Sequence, residues 1–349
     1  MPFADPASSD TVDPMKQPGR TAPALPCFAG DDFRRAAERG AAPAPRAGDA
    51  ARRSRMAELL AELAVREGVT ATGIAGVELV RDSNASRRSP VLYEPMILFL
   101  AQGRKCAYLG DERLTYDPDH YLALSVPVPV ECEVTASADE PLLAVKIGVE
   151  PALLAEILVS LDAAMPASER VPRGMHASPL PVEMRGAVIR LLEALQTPND
   201  TRILGQQIVR EIVYRVLQDE PGSGLRALAA RNNQFLRIAK VLEHLHADHA
   251  GTTSNEALAK LAGMSVSTFH HNFKLVTAMS PLQYGKSVRL HRARMLMVHS
   301  GHTASTAASA VGYESASQFG REFKRYFGVS PGAEAASVRA RLTAAGEGN

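Results

Sequence analysis

The sequence predicts an α+β chain in two parts: a small N-terminal β-barrel or sandwich with accessory helices, then an all-α domain. Three observations predict it. Residues 70–148 alternate in hydropathy and are broken by closely spaced turn signals, as short antiparallel strands are. Beyond Pro151 the apolar positions recur at helical spacing. The last hundred residues or so contain one unit twice. At about 150 residues per domain, the 349 residues accommodate two domains and connectors.

Residues 1–50 hold 8 of the 23 prolines and no apolar periodicity, which predicts a disordered tail. Met56, Leu59, Leu60 and Leu63 share one face of a helix expected from Ala51 to Glu67, with Gly68 placed to end it. Strands are expected at Gly76–Val80, Met96–Ala101, Ala107–Leu109, His120–Val126, Glu131–Thr135 and Leu142–Ile147, punctuated by pairs such as Gln102-Gly103 and Gly110-Asp111. Alternation leaves open whether Met96, Leu98 and Leu100 or Ile97, Phe99 and Ala101 face inward. Apolar stripes at Leu153/Leu154/Ile157/Leu158/Leu161, Val188/Leu191/Leu192/Leu195 and Ile208/Ile212/Val213/Val216 mark helices. Pro221-Gly222-Ser223-Gly224 reads as a linker, after which Phe235, Ile238, Leu242 and Leu245 open a second helical block. The expected division is a tail at 1–50, an N-terminal domain at 51–220, a linker at 221–232, a helical domain at 233–340 and a tail at 341–349.

Composition narrows the function. The net charge of +1 conceals an asymmetry: residues 231–349 carry 14 Lys+Arg against 7 Asp+Glu, and eight of the ten histidines. A basic third on an acidic remainder suits a module for a polyanion. Three cysteines without a CxxC pair argue against a disulfide framework and a cysteine-rich zinc site. The best apolar run, Met96 to Ala101, falls far short of the ~18 residues of a membrane span. Asp5, Asp10 and Asp13 and the lack of an apolar core lead to the expectation that the N-terminus is not a secretory signal. A reduced, cytoplasmic protein without membrane contact is expected. No phosphate loop, GxGxxG or nucleophile elbow occurs, and no cofactor is expected.

The repeat carries the chemistry. Ser265, Ser267, Phe269, Phe273 and Lys274 recur fifty residues on as Ser315, Ser317, Phe319, Phe323 and Lys324, and Ser280-Pro281 recurs as Ser330-Pro331. Upstream, Ala259 and Gly263 match Ala308 and Gly312 at one residue less. Each copy has the parts of a helix-turn-helix. A small alanine admits the second helix, a glycine supplies a positive φ, and a serine caps the helix that follows. Two phenylalanines at i, i+4 then anchor that helix. Thr253 and Glu256 have capping-box spacing for the first helix. Ser267, His270, His271 and Lys274 point outward in the first unit; Ser317, Gln318, Arg321, Lys324 and Arg325 do so in the second. Arg and Gln bond base edges bidentately, Ser and His also reach them, and Lys holds phosphate. Pro281 to about His299 reads as a continuous connecting helix.

These residues resemble the tandem helix-turn-helix domain of AraC/XylS-type transcriptional regulators over Phe235 to Val338, the second unit "VGYESASQFGREFKRYFGVSP" being the more specific match. The segment from Leu92 to Leu158 resembles the AraC-type N-terminal domain, a cupin-like barrel followed by helices. The resemblance implies a DNA-binding transcription regulator that is not an enzyme. It places base contacts at Ser267, His270, His271, Ser317, Gln318 and Arg321, and backbone contacts at Ser265, Lys274, Ser315, Lys324 and Arg325. Its implied partners are double-stranded DNA, RNA polymerase, a small effector and a second copy of the chain. One position departs: the family usually has Arg where this chain has His271, which weakens guanine readout and makes that contact pH-sensitive.

The rival reading is a cupin-type small-molecule enzyme with a DNA-binding tail. It needs three or four metal ligands, whereas His120 has no evident acid partner and His176 falls among helices. Cys106 and Cys132 read as buried thiols rather than sensors. His244, His246 and His249 lie on one helix end, but the first two point apart and share no ion.

Overall fold

The computed structural model describes residues 47–161, 171–219, 224–229, 234–248 and 253–346. Most of the expected tail at 1–50 lies outside the described residues. Helix α1 (Ala47–Leu63) starts and ends about a turn earlier than its periodicity suggested. Gly68 does not cap it; at φ +89° it opens strand β1 (Gly68–Ala71).

Together with β1, the strands β2 (Val77–Asp82), β3 (Ser86–Tyr93), β4 (Met96–Gln102), β5 (Arg104–Leu109), β6 (Glu112–Tyr116), β7 (His120–Leu124), β8 (Val128–Thr135), β9 (Leu142–Gly148) and β10 (Met175–Pro179) form two antiparallel sheets. One has the order β1-β2-β9-β4-β7-β10 and the other β3-β8-β5-β6. Among the described residues no ladder joins them, so the expected barrel is an unclosed pair of sheets sharing one core. Both alternating sets of β4 are buried. Met96, Leu98 and Leu100 meet Leu114, Tyr116 and Val130 of the second sheet. Ile97, Phe99 and Ala101 belong to a separate core with Met56, Leu59 and Leu60 of α1 and the helices α2 (Pro151–Ser160), α3 (Val182–Ala194) and α4 (Pro198–Asp219). A strand buried on both faces reads as a continuous apolar run, which is why its pattern left the inward face open.

The strands absent from the sequence reading are β1, β3, β6 and β10, and all four lie at sheet edges. β3 carries Arg87, Arg88 and Pro90, and β10 ends on Pro179. Edge strands tolerate proline and charge because one side of the backbone needs no partner.

The expected linker contains a short helix, α5 (Gly224–Ala229). The helical domain comprises α6 (Gln234–Ala247), α7 (Asn255–Ala262), α8 (Val266–Thr277), α9 (Pro281–His299), α10 (Ala304–Ala310), α11 (Ala316–Phe327) and α12 (Pro331–Gly346). α12 continues into the segment expected as a tail from residue 341. Among the described residues no helix is long and apolar enough to cross a membrane.

The two repeat units are packed differently. Phe269 and Phe273 of the first, with Tyr284 of α9, lie in the same buried cluster as Val128 and Met175 of the sheets and Val126 of the loop between β7 and β8. Phe319 and Phe323 of the second belong to a core of their own with Leu290, Ala293 and Met297 of α9. At the seam, Gly174 N–H donates to Val276 O at 2.9 Å, and Tyr284 O–H donates to Pro127 O at 2.8 Å. His246 Nε2 lies 2.8 Å from the same Tyr284 oxygen. Burial lowers the His246 pKa, so the ring sits neutral in this chain of hydrogen bonds.

Candidate nucleic-acid interface

Each unit repeats the same backbone bonds. Gly263 turns at φ +62°, and Met264 N–H donates to Ala259 O at 3.0 Å. Gly312 turns at φ +77°, and Tyr313 N–H donates to Ala308 O at 3.0 Å. Ala259 and Ala308 are both buried, leaving room for the following helix. Ser265 Oγ accepts from Thr268 N–H at 3.2 Å to cap α8, and Ser315 Oγ accepts from Gln318 N–H at 3.3 Å to cap α11. Each cap contributes about 1 kcal/mol. The cap of α7 differs from expectation: Ser254, not Thr253, accepts from Ala257 N–H, because Thr253 is engaged by Asp248.

The phenylalanine pairs anchor the second helices. Phe269 and Phe273 are buried with ring centroids 5.5 Å apart, and Phe319 and Phe323 stand at 5.4 Å. Such pairs add about 0.5–1.5 kcal/mol to the burial itself. With those faces buried, the opposite faces are turned to solvent. Ser265, Ser267, His271 and Lys274 are exposed on α8, as are Ser315, Ser317, Gln318, Arg321, Lys324 and Arg325 on α11. His270 is half-buried, edge-on to Phe269 with centroids 5.7 Å apart.

The connector α9 runs from Pro281 to His299, as its pattern suggested, with Ser280 and Gln283 forming a capping box. Arg237 Nη1 donates to Gly263 O at 3.2 Å and pins the first turn. The second turn is held by Glu322, which accepts from Tyr313 O–H at 2.9 Å and pairs with Lys286 Nζ of α9 at 3.0 Å. Neither Glu322 nor Lys286 stands among the residues singled out from the sequence. The one available signal was the i, i+4 spacing of Gln318 and Glu322.

The remaining candidates sort by environment. His120 has an acid partner after all: its Nδ1 lies 2.8 Å from Asp117 Oδ1, a pair made by the turn before β7. His176 lies on β10 rather than among helices. Among the described residues, no group of three or more His, Cys, Asp or Glu stands together as a metal site. His244 contacts Thr253 Oγ1 and His246 contacts Tyr284, so they diverge; His249 lies outside the described residues. Cys132 is buried against Tyr93 O–H at 3.2 Å, and burial pushes its thiol pKa up. Cys106 is also buried, and the cation against its sulfur is Arg113, reaching across from β6 at 3.1 Å.

Residues 73–223 match the family described as the AraC-type transcriptional regulator N-terminus, and residues 258–336 match a helix-turn-helix domain family. Together these matches support an AraC-type regulator with an N-terminal regulatory domain. Among curated proteins this chain is 30% identical over 145 residues to the HTH-type transcriptional activator RhaS of Escherichia fergusonii, covering 36% of this chain and 52% of that protein. The RhaS of Klebsiella pneumoniae is 28% identical over 144 residues, covering 41% and 50%. The chain thus spans about half the length of the curated relatives it matches. In fold it is similar to ToxT of Vibrio cholerae solved with an unsaturated fatty acid bound, at TM-score 0.52 and 10% identity over 74% of this chain and 94% of that one. An apo ToxT variant aligns at TM-score 0.51 and 8% identity over 76% and 98%.

Proposed function

We propose that this chain is a sequence-specific, DNA-binding transcription regulator that reads a bipartite promoter site. One observation carries the reading: two helix-turn-helix units share the same turn bonds, serine caps and buried phenylalanine pairs, and each exposes polar side chains at corresponding positions of its second helix. The 19 residues of α9 span about 28 Å, comparable with the ~34 Å that separates successive major grooves. In this reading Ser267, His270, His271, Ser317, Gln318 and Arg321 meet base edges, and Ser265, Lys274, Ser315, Lys324 and Arg325 hold the backbone. The domain division at 51–220 and 233–340 belongs to the same proposal, with the sheets receiving a small effector or a second copy and the bound complex engaging RNA polymerase in the cytoplasm. The core shared by the sheets and the first unit supports such coupling. The curated relatives are named as transcriptional activators, and the enzyme rival finds no ligand cluster among the described residues.

The test is selection of bound fragments from sheared source-genome DNA by the full chain at physiological salt. Two short sequence blocks about one helical turn apart are expected. Enrichment without a motif, with and without a metabolite mixture, overturns the reading. Lys274→Ala and Lys324→Ala should each weaken binding to all sequences alike and reduce the salt slope by about 1.

A further inference from the structure

We propose that Glu322 is a positioning residue for base readout by α11: it fixes which end of the Gln318 amide faces the DNA and ties that orientation to α9. The proposal rests on the reading that Gln318 meets a base.

Glu322 stands one turn along α11 from Gln318, its side chain 14% exposed. Its carboxylate receives donors from three places. Oε1 accepts from Gln318 Nε2 at 3.4 Å and from Lys286 Nζ of α9 at 3.0 Å. Oε2 accepts from the Tyr313 hydroxyl, in the turn, at 2.9 Å. Burial by itself would raise the carboxyl pKa, but the bonds from Lys286, Tyr313 and Gln318 outweigh it and hold the pKa below the usual carboxylate range. An ionised carboxylate only accepts. It therefore selects the Nε2 end of the amide, and Gln318 presents Oε1 and its second N–H outward. That donor and acceptor together match N6 and N7 of adenine in the major groove. An untethered glutamine would present either end.

The first unit serves as an internal control. Asn272 takes the place of Glu322 there and Met264 that of Tyr313, and the same contact survives without charge: Asn272 Nδ2 lies 3.6 Å from Met264 Sδ. Gln318 is replaced by Thr268, whose hydroxyl lies 2.8 Å from Ser265 Oγ. Holding the turn against the helix therefore needs no carboxylate. The carboxylate appears in the unit that has an amide to orient.

The experiment is selection from a random-sequence DNA pool with the full chain, for wild type, Gln318→Ala, Glu322→Gln and the double variant, with thermal unfolding followed alongside. Glu322→Gln keeps the shape but bonds either end of the amide. Gln318→Ala should lose an adenine preference of about tenfold at one base pair of one half-site. Glu322→Gln should lose the same preference at the same base pair, leave the other half-site unchanged, and add nothing in the double variant. If Glu322→Gln lowers the unfolding midpoint, Glu322→Asp keeps the charge while drawing it back from Gln318 and should lose the same preference. Retained preference in Glu322→Gln or Glu322→Asp, with loss in Gln318→Ala, overturns the positioning role but leaves the base contact. No altered preference in Gln318→Ala overturns both. An equal loss at both half-sites marks Glu322 as structural and also overturns the proposal.

Discussion

Ala278 holds a backbone angle that alanine rarely adopts. It closes α8 at φ +57°, while its counterpart Gly328 closes α11 at φ +79°. Both residues donate their N–H to the carbonyl four residues back, Lys274 or Lys324, at 2.8 Å. The left-handed region crowds an L side chain, a strain glycine escapes. Ala278→Gly should therefore raise stability by about 0.5–1 kcal/mol, read as a higher urea midpoint, and an unchanged or lower midpoint would contradict this. The methyl is kept against the sheet domain: a Cβ on Gly110 would meet it at 3.2 Å, so that turn has a glycine opposite the alanine. At this scale the outward positions of α8 and α11 were readable because helical periodicity fixes them. Glu322 was not, since its partners come from α9 and from the turn, and sequence spacing does not register contacts between elements.

Elements were legible in proportion to how their burial imprints a period. The helix-turn-helix units, with one face buried and one wet, were read nearly to their ends. The edge strand β3 was not, because exposure lets charge and proline break the alternation. The junction of α9 with α11 shows what packing adds. His291 of α9 is 5% exposed, its ring edge-on to Phe327 at 5.2 Å and its Nε2 3.2 Å from Tyr326 O–H. Burial, aided by the positive charge of Arg294, pushes its pKa down to about 3. An unfolded histidine titrates near 6.5, so between these values the unfolded chain binds a proton that the folded chain refuses. The stability is fully present above about pH 6.5 and is lost as pH falls towards the folded value. From pH 7 to pH 5 this group should remove about 2 kcal/mol. Urea unfolding should show that slope, and His291→Gln should flatten it; an identical slope in the variant would assign the loss elsewhere.

At the scale of the whole molecule, Gly174 marks the seam. A Cβ there would overlap Val126 Cγ2 and stand 3.2 Å from Val276 O, with the loop after β7 on one side and α8 on the other. Gly174→Ala should destabilise the chain by about 1–3 kcal/mol through overpacking, seen as a lower unfolding midpoint. A midpoint equal to that of wild type would mean the seam yields freely. The seam was invisible in the sequence. Composition and turn signals placed a boundary at 221–232, but a boundary along the chain is not a boundary in space, and the first unit's phenylalanines pack in a cluster continuous with the sheets.

That continuity bears on how such a protein can be recombined. A chimera cut at residues 221–232, joining these sheets to a helical domain from a relative, would bring together two halves of one core never fitted to each other. Tyr284 would have to find an acceptor where Pro127 offers one, and Val276 a neighbour as small as Gly174. The crossover that respects the packing falls after the first unit, within α9, where the second core begins with Leu290.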